Sequence, residues 1–173
     1  RVRNWLRDRI ERRSEWSVDA TTKIRMLRHL MKVELFEQFL HTRFMGVKRF
    51  SIEGGETLMT ALDGVLENCP KFKVEELCMG MAHRGRLAVI VEFLKKPYSL
   101  FLKEFNPNYI PESVFGDGDV KYHLGYVNTR VIKPSGQEVE VRLSANPSHL
   151  EIVNPVVMGM ARARQRIRKD TED

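Results

Sequence analysis

A chain of 173 residues with 42% apolar side chains is enough for one sizeable folded domain. It contains no uninterrupted apolar run of about 18 residues, which excludes a hydropathy-defined transmembrane helix. Its two cysteines, Cys69 and Cys78, have neither a CxxC nor a metal-site spacing, which excludes a disulfide framework and predicts reduced thiols in a cytosol-like compartment.

The net charge of +6 collects at the two ends. Arg1, Arg3, Arg7, Arg9, Arg12 and Arg13 crowd the start, and Arg162, Arg164, Arg166, Arg168 and Lys169 the finish. Neither cluster carries the interleaved aromatics of a nucleic-acid stacking platform, so solvated helix faces are the preferred reading over a basic interaction module. The chain opens on charged residues with no apolar stretch after them, so no signal peptide is expected. Without an initiator Met, it is expected to begin inside a longer protein.

In chain order, residues Arg1 to Arg13 read as a short basic helix with Trp5, Leu6 and Ile10 on one side. A longer helix is predicted from about Thr22 to Arg43. Ile24, Leu27, Met31, Leu35, Phe39 and Leu40 recur in it at helical spacing, with Asp19, Thr21 or Thr22 as cap and Gly46 as terminator. Lys48 to Gly55 reads as a turn, its two glycines implying tight backbone approach, and a helix follows over about Glu56 to Glu67. Glu76 to Met81 reads as a buried parallel-type strand, Leu87 to Leu94 as the helix after it, and Pro97 to Phe105 as another short helix.

Asn106 to Asp117 is a loop rich in Pro, Gly and Asp. Val127 to Val131 and Val139 to Leu143 alternate apolar with polar around Lys133-Pro134-Ser135-Gly136, which predicts a hairpin with Gly136 supplying the turn. Asn154-Pro155 resembles a helix start, an Asn cap with Pro at the first helical position, and the helix would run to about Arg168.

Three polar loops carry the candidate chemistry. His83-Arg84-Gly85-Arg86 follows a strand and opens a helix, the place where α/β sheets bind ligands. The arginine forks there match a carboxylate or phosphate, and surface salt bridging is an equal alternative for these four residues alone. His123 lies near Gly116, Gly118 and Gly125, a glycine density that suggests close packing. Its imidazole suits a substrate carboxylate or a proton shuttle, against the plain reading of a satisfied core histidine. Asn146-Pro147-Ser148-His149-Leu150-Glu151 gathers amide, hydroxyl and imidazole, or is simply a capping turn. No zinc set, phosphate-binding glycine loop or nucleophile elbow is present.

Taken in order, Lys48-Arg49-Phe50-Ser51-Ile52-Glu53-Gly54, Met79 to Leu87, Gly118 to Gly125, Ala145 to Glu151 and Asn154 to Gly159 resemble the thiamine-diphosphate-dependent 2-oxoglutarate dehydrogenases, specifically the decarboxylating component. The likeness runs from about residue 20 to 165. It implies an incomplete thiamine-diphosphate-binding α/β domain over residues 46–173, with parallel strands flanked by helices, a β-hairpin, and an N-terminal helical segment over 1–45.

It further implies decarboxylation of 2-oxoglutarate on thiamine diphosphate and transfer of the succinyl group to the lipoyl arm of a partner acyltransferase, as in the tricarboxylic acid cycle. By the same resemblance Arg84 contacts cofactor and substrate, His123 contacts substrate, Ser148 touches both, Leu150 lines the cofactor ring, and His83 is a second catalytic histidine beside His123.

The Mg2+ motif and the activating glutamate of the family are expected beyond Asp173, and family sites form in homodimers. This chain alone is therefore expected to be inactive. Two departures from the family pattern stand out: Asp117 in Gly116-Asp117-Gly118-Asp119, which adds negative charge, and Asn154 before the Pro-Val-Val-Met run. A related 2-oxo acid dehydrogenase, acting on 2-oxoadipate, shares these motifs and is the nearest rival. A bacterial cytoplasm is preferred to a mitochondrial matrix, with neither membrane nor nucleic acid as partner.

Overall fold

The computed structural model describes residues 1–12, 17–106, 121–133 and 135–170. Its elements are α1 (Val2–Glu11), α2 (Ala20–Arg43), α3 (Thr57–Asn68), a 3-10 turn (Pro70–Phe72), β1 (Glu76–Met79) and α4 (Arg86–Ala88), which runs into a π-helical turn (Val89–Phe93). After these come α5 (Tyr98–Lys103), β2 (Tyr126–Val131), β3 (Glu138–Leu143) and α6 (Asn154–Arg168). The elements follow the predicted order, and the architecture is mixed α/β.

The three strands form one sheet in the order β1-β3-β2. β1 lies parallel to β3, with Leu77 beside Val141 and Met79 beside Leu143. The hairpin strand β2 lies antiparallel to β3, with Tyr126 beside Leu143. The predicted hairpin is thus joined to the predicted parallel strand through β3. Gly136 adopts φ +72° in the turn, the left-handed conformation expected of it. Pro134 lies outside the described residues.

Side chains alternate across β3, and the alternation assigns its two faces. Val139, Val141 and Leu143 are buried against α2, α3 and the π turn, in a cluster with Phe36, Leu40, Met59, Leu66, Leu87 to Val91, Phe93 and Leu94. The other face carries Glu76, Glu140 and Arg142, and α6 lies over it. Arg164 Nε donates to Glu76 Oε2 at 2.8 Å and Arg142 Nε to Glu76 Oε1 at 3.2 Å. Gly80 makes this approach possible, because a Cβ there would stand 2.5 Å from Val157 Cγ2. Burial raises the Glu76 pKa, but the hydrogen bonds and charges of Arg164 and Arg142 outweigh it and leave the carboxyl below its ordinary range.

Several expectations are corrected in detail. α2 begins at Ala20 with Asp19 as its cap, the Asp19 carboxylate accepting from the Thr22 amide at 2.7 Å. Its buried residues are Val33, Phe36 and Leu40. Of the apolar residues whose spacing predicts this helix only Leu40 is buried, whereas Ile24, Leu27, Met31, Leu35 and Phe39 are exposed. Two apolar stripes coexist on this helix, and the sheet is packed by the second. Trp5, Leu6 and Ile10 of α1 are also exposed.

The helix predicted over Leu87 to Leu94 tightens and then widens: the Leu94 amide donates to Val89 O, five residues back, at 2.9 Å. Carbonyls left at that end are met by polar side chains of β2, Asn128 Nδ2 reaching Leu94 O at 2.8 Å and the Arg130 guanidinium reaching Phe93 O. This turns Val127 and Val131 outward. At α6 the cap position falls on Val153, and no side chain caps the helix, so Asn154 is its first residue instead of its cap.

Candidate active site

The sheet topology brings the three loops together. β1 and β3 are parallel, so the loops leaving Met79 and Leu143 emerge at the same end of the sheet. β2 is antiparallel to β3, so the segment entering Tyr126 arrives there as well. Residues 80–85, 121–125 and 144–153 therefore share one mouth at the carboxyl ends of the parallel strands.

The contacts follow this plan. The Asn146 amide donates to His123 O at 3.0 Å, and Asn146 Nδ2 donates to Met81 O at 2.8 Å. Asn146 Oδ1 accepts from the Ser148 amide at 2.5 Å. One buried residue thus cross-links all three loops. Gly125 permits the closeness, since a Cβ on it would lie 2.8 Å from Leu143 O and 3.0 Å from the Ala145 nitrogen. The packed backbone inferred from the glycines near His123 is real at Gly125. Gly116 and Gly118, together with the Asp117 departure, lie outside the described residues.

His83 is half-buried. Its ring Nδ1 lies 3.1 Å from Ser148 O. A carbonyl oxygen only accepts, so Nδ1 carries the hydrogen and the neutral ring keeps Nε2 as an acceptor. The ring rests on Phe50 at a centroid distance of 4.7 Å, and Phe50 in turn meets Tyr122 edge-on at 5.0 Å. The Tyr122 hydroxyl donates to Lys48 O, which closes the Lys48 to Ile52 segment onto the mouth. Sequence alone assigned no role to Phe50 or Tyr122, although an aromatic placed directly after Lys-Arg was a signal for such a platform.

Arg84 and Arg86 separate sharply. Arg84 is exposed, and its Nη2 donates to Glu53 O at 2.6 Å, beside Gly54. Its guanidinium keeps donors for an anion. Arg86 was expected at the ligand mouth with Arg84, but it is fully buried. Nη1 donates to Met81 O at 2.8 Å, and Nη2 donates to Leu124 O at 2.8 Å and Ser144 O at 2.6 Å. Burial lowers its pKa to about 10, so it stays charged at neutral pH.

Gly85 separates the two arginines at φ +73°, and its amide donates to Phe50 O at 2.7 Å. Ser148 sits at φ +61° with its Oγ buried and without a hydrogen-bond partner among the described residues. An unsatisfied buried hydroxyl in a left-handed turn is a costly arrangement that a ligand would relieve. Leu150 stands 76% exposed, available to cover an apolar ring. His123 is half-buried, its carbonyl fixed by Asn146.

Among the described residues no group of three His, Cys, Asp or Glu side chains is placed to hold a metal ion. A groove of about 680 Å3 lies away from the mouth, between α2 and the turn after Val91, walled by Leu35, Phe36, Phe39 and Tyr98. Its apolar walls share no residue with the motifs that build the mouth.

Fold and loops define an α/β protein whose strand-end mouth, with an exposed guanidinium, an imidazole acceptor and a hydroxyl unpartnered among the described residues, suits a small anion. No family model matches the chain. Among curated proteins it is 44% identical over 163 residues to the multifunctional 2-oxoglutarate metabolism enzyme of Mycolicibacterium vanbaalenii, covering 94% of this chain and 13% of that protein. It is 42% identical over 171 residues to the 2-oxoglutarate dehydrogenase E1 component of Rickettsia felis, covering 98% and 17%. It is 44% identical over 163 residues to the corresponding protein of Brucella ovis, covering 93% and 16%. The chain is homologous to a segment of the 2-oxoglutarate dehydrogenase E1 component along nearly all of its length. It spans less than a fifth of the length of these relatives.

Proposed function

We propose that this chain supplies one wall of the active site of a thiamine-diphosphate-dependent 2-oxoglutarate dehydrogenase, with residues 46–173 as the incomplete catalytic domain and 1–45 as the helical segment leading into it. The convergence of four sequence-distant segments at one sheet end is the observation that carries the reading. In the complete enzyme the reaction would decarboxylate 2-oxoglutarate and hand the succinyl group to the lipoyl arm of an acyltransferase. A homodimer, a bacterial cytoplasm and Mg2+ held by residues other than those described complete the proposal.

Thiamine diphosphate, when bound, would supply the electron sink for loss of carbon dioxide. The donor set suits such a group: Arg84 for anionic oxygens, the unpartnered Ser148 hydroxyl as donor, and the exposed Leu150 against an apolar ring face. For the substrate, a dianionic keto acid, Arg84 offers a planar fork to a carboxylate and His123 a ring hydrogen bond. His83, its Nδ1 engaged by Ser148 O, presents Nε2 as the group able to take or return a proton at the mouth.

The test uses the full-length enzyme. Arg84→Ala is expected to raise KM for 2-oxoglutarate and weaken thiamine diphosphate binding by roughly tenfold or more, the worth of one charge-assisted hydrogen bond or better. Its thermal midpoint should stay near wild type, because the side chain is exposed and holds one carbonyl. Unchanged kinetics would remove Arg84 from the site.

A further inference from the structure

We propose that Arg86 is the positioning residue of this mouth, a buried guanidinium whose hydrogen bonds to Met81 O, Leu124 O and Ser144 O set the spacing of the loops that present His83, His123 and Ser148. The inference rests on reading these loops as the ligand-binding wall, and it concerns a residue that faces away from any ligand.

The topology creates a problem that Arg86 solves. Where three strand ends meet, the carbonyls of residues 81, 124 and 144 converge outside the regular ladder, and buried carbonyls need donors. Neighbouring carbonyl dipoles aimed at one point also repel. A cation at that point answers both demands, and the three oxygens lie at 2.6–2.8 Å from it.

Among the described residues no carboxylate pairs with Arg86, so its interactions go to backbone alone. The planar guanidinium sends donors from two nitrogens in diverging directions, which one ammonium cannot reproduce from the same depth. Gly85, in its left-handed conformation against Ile52, turns the chain so that residue 86 points inward and residue 84 outward. Each loop is anchored close in sequence to the group it presents: Met81 before His83, Leu124 after His123, Ser144 leading to Asn146 and Ser148.

The experiment measures amide hydrogen exchange in the full-length polypeptide carrying Arg86→Lys and, separately, Arg86→Met. The diagnostic amides are Asn146 and Ser148, which hydrogen-bond at the junction of the loops, and those of Val139 to Leu143 in the central strand. Arg86→Lys should speed exchange at Asn146 and Ser148 by roughly tenfold or more, as expected when one or two buried hydrogen bonds are lost locally. Strand amides should stay within about threefold of wild type.

Arg86→Met should open the loops further, and restoring arginine should restore protection. Parallel acceleration of loops and strand, or failure of both variants to fold, would make Arg86 a general core residue and overturn the proposal. Unaltered loop exchange would overturn it equally. None of these outcomes depends on ligand. If the proposed reaction itself fails, that is seen separately, as absent 2-oxoglutarate turnover by the unmodified enzyme.

Discussion

Replacing Gly85 with alanine tests the backbone on which the whole mouth is built. Two costs are expected. Gly85 has φ +73°, where an L side chain loses about 1–2 kcal/mol relative to glycine. A Cβ there would also stand 2.8 Å from Ile52 Cγ1, 2.9 Å from Ile52 Cδ1 and 3.0 Å from Ile52 Cβ, too close for carbon atoms to coexist without a shift. Forcing a methyl into a packed site adds about 1–3 kcal/mol, so the sum is about 2–5 kcal/mol.

Gly136 provides the control. It has nearly the same φ, +72°, and a methyl added there would meet nothing within 4 Å, so Gly136→Ala isolates the backbone cost at about 1–2 kcal/mol. Urea unfolding of both variants, with equal slopes, gives the two values. A double variant, Gly85→Ala with Ile52→Ala, should recover part of the steric loss, a coupling of about 1–2 kcal/mol. Equal destabilisation of Gly85→Ala and Gly136→Ala, or no coupling to Ile52, would refute the claim that Ile52 braces this turn.

Ser148→Ala removes a buried hydroxyl with no partner among the described residues, so the urea midpoint should hold or rise slightly, while affinity of the full-length enzyme for 2-oxoglutarate or thiamine diphosphate falls by roughly tenfold. Glu76→Gln should loosen α6 by about 2 kcal/mol, read from α6 amide exchange, since a nearly buried carboxylate loses its pairing with half-exposed arginines. The wild type should show the same loosening in acid. Its lowered carboxyl pKa means that the stabilisation is complete above the ordinary value of 4.5 and is lost as pH falls through the lower folded value. Glu76→Gln should abolish that pH dependence, and an unchanged acid profile in the variant would assign it to other groups.

Much of the framework was legible because local chemistry and tertiary packing agree. Gly136 between two alternating segments specified the hairpin, and Pro155 marked the start of α6. The burial of α2 was not legible, since Ile24-Leu27-Met31-Leu35 and Val33-Phe36-Leu40 each satisfy helical spacing and only the sheet decides between them. By residue type and position alone Arg84 and Arg86 are equally plausible ligand groups, and only the family resemblance singles out Arg84. The turn at Gly85 sends one out and one in, and that depends on Ile52, more than 30 positions away. The inward-facing Asn128 and Arg130 were hidden for a related reason: they answer carbonyls freed by a π turn that no periodicity in Leu87 to Leu94 announces.

A common mouth built by three loops for a dianionic keto acid on thiamine diphosphate is tested most directly by ligand-induced protection. Amide hydrogen exchange of the full-length enzyme should be compared with and without thiamine diphosphate, Mg2+ and 2-oxoglutarate. Residues 83–86, 121–125 and 146–150 are expected to gain protection together, over the same ligand concentration range. Protection of one segment without the others, or of none while ligand binds, would contradict a shared site.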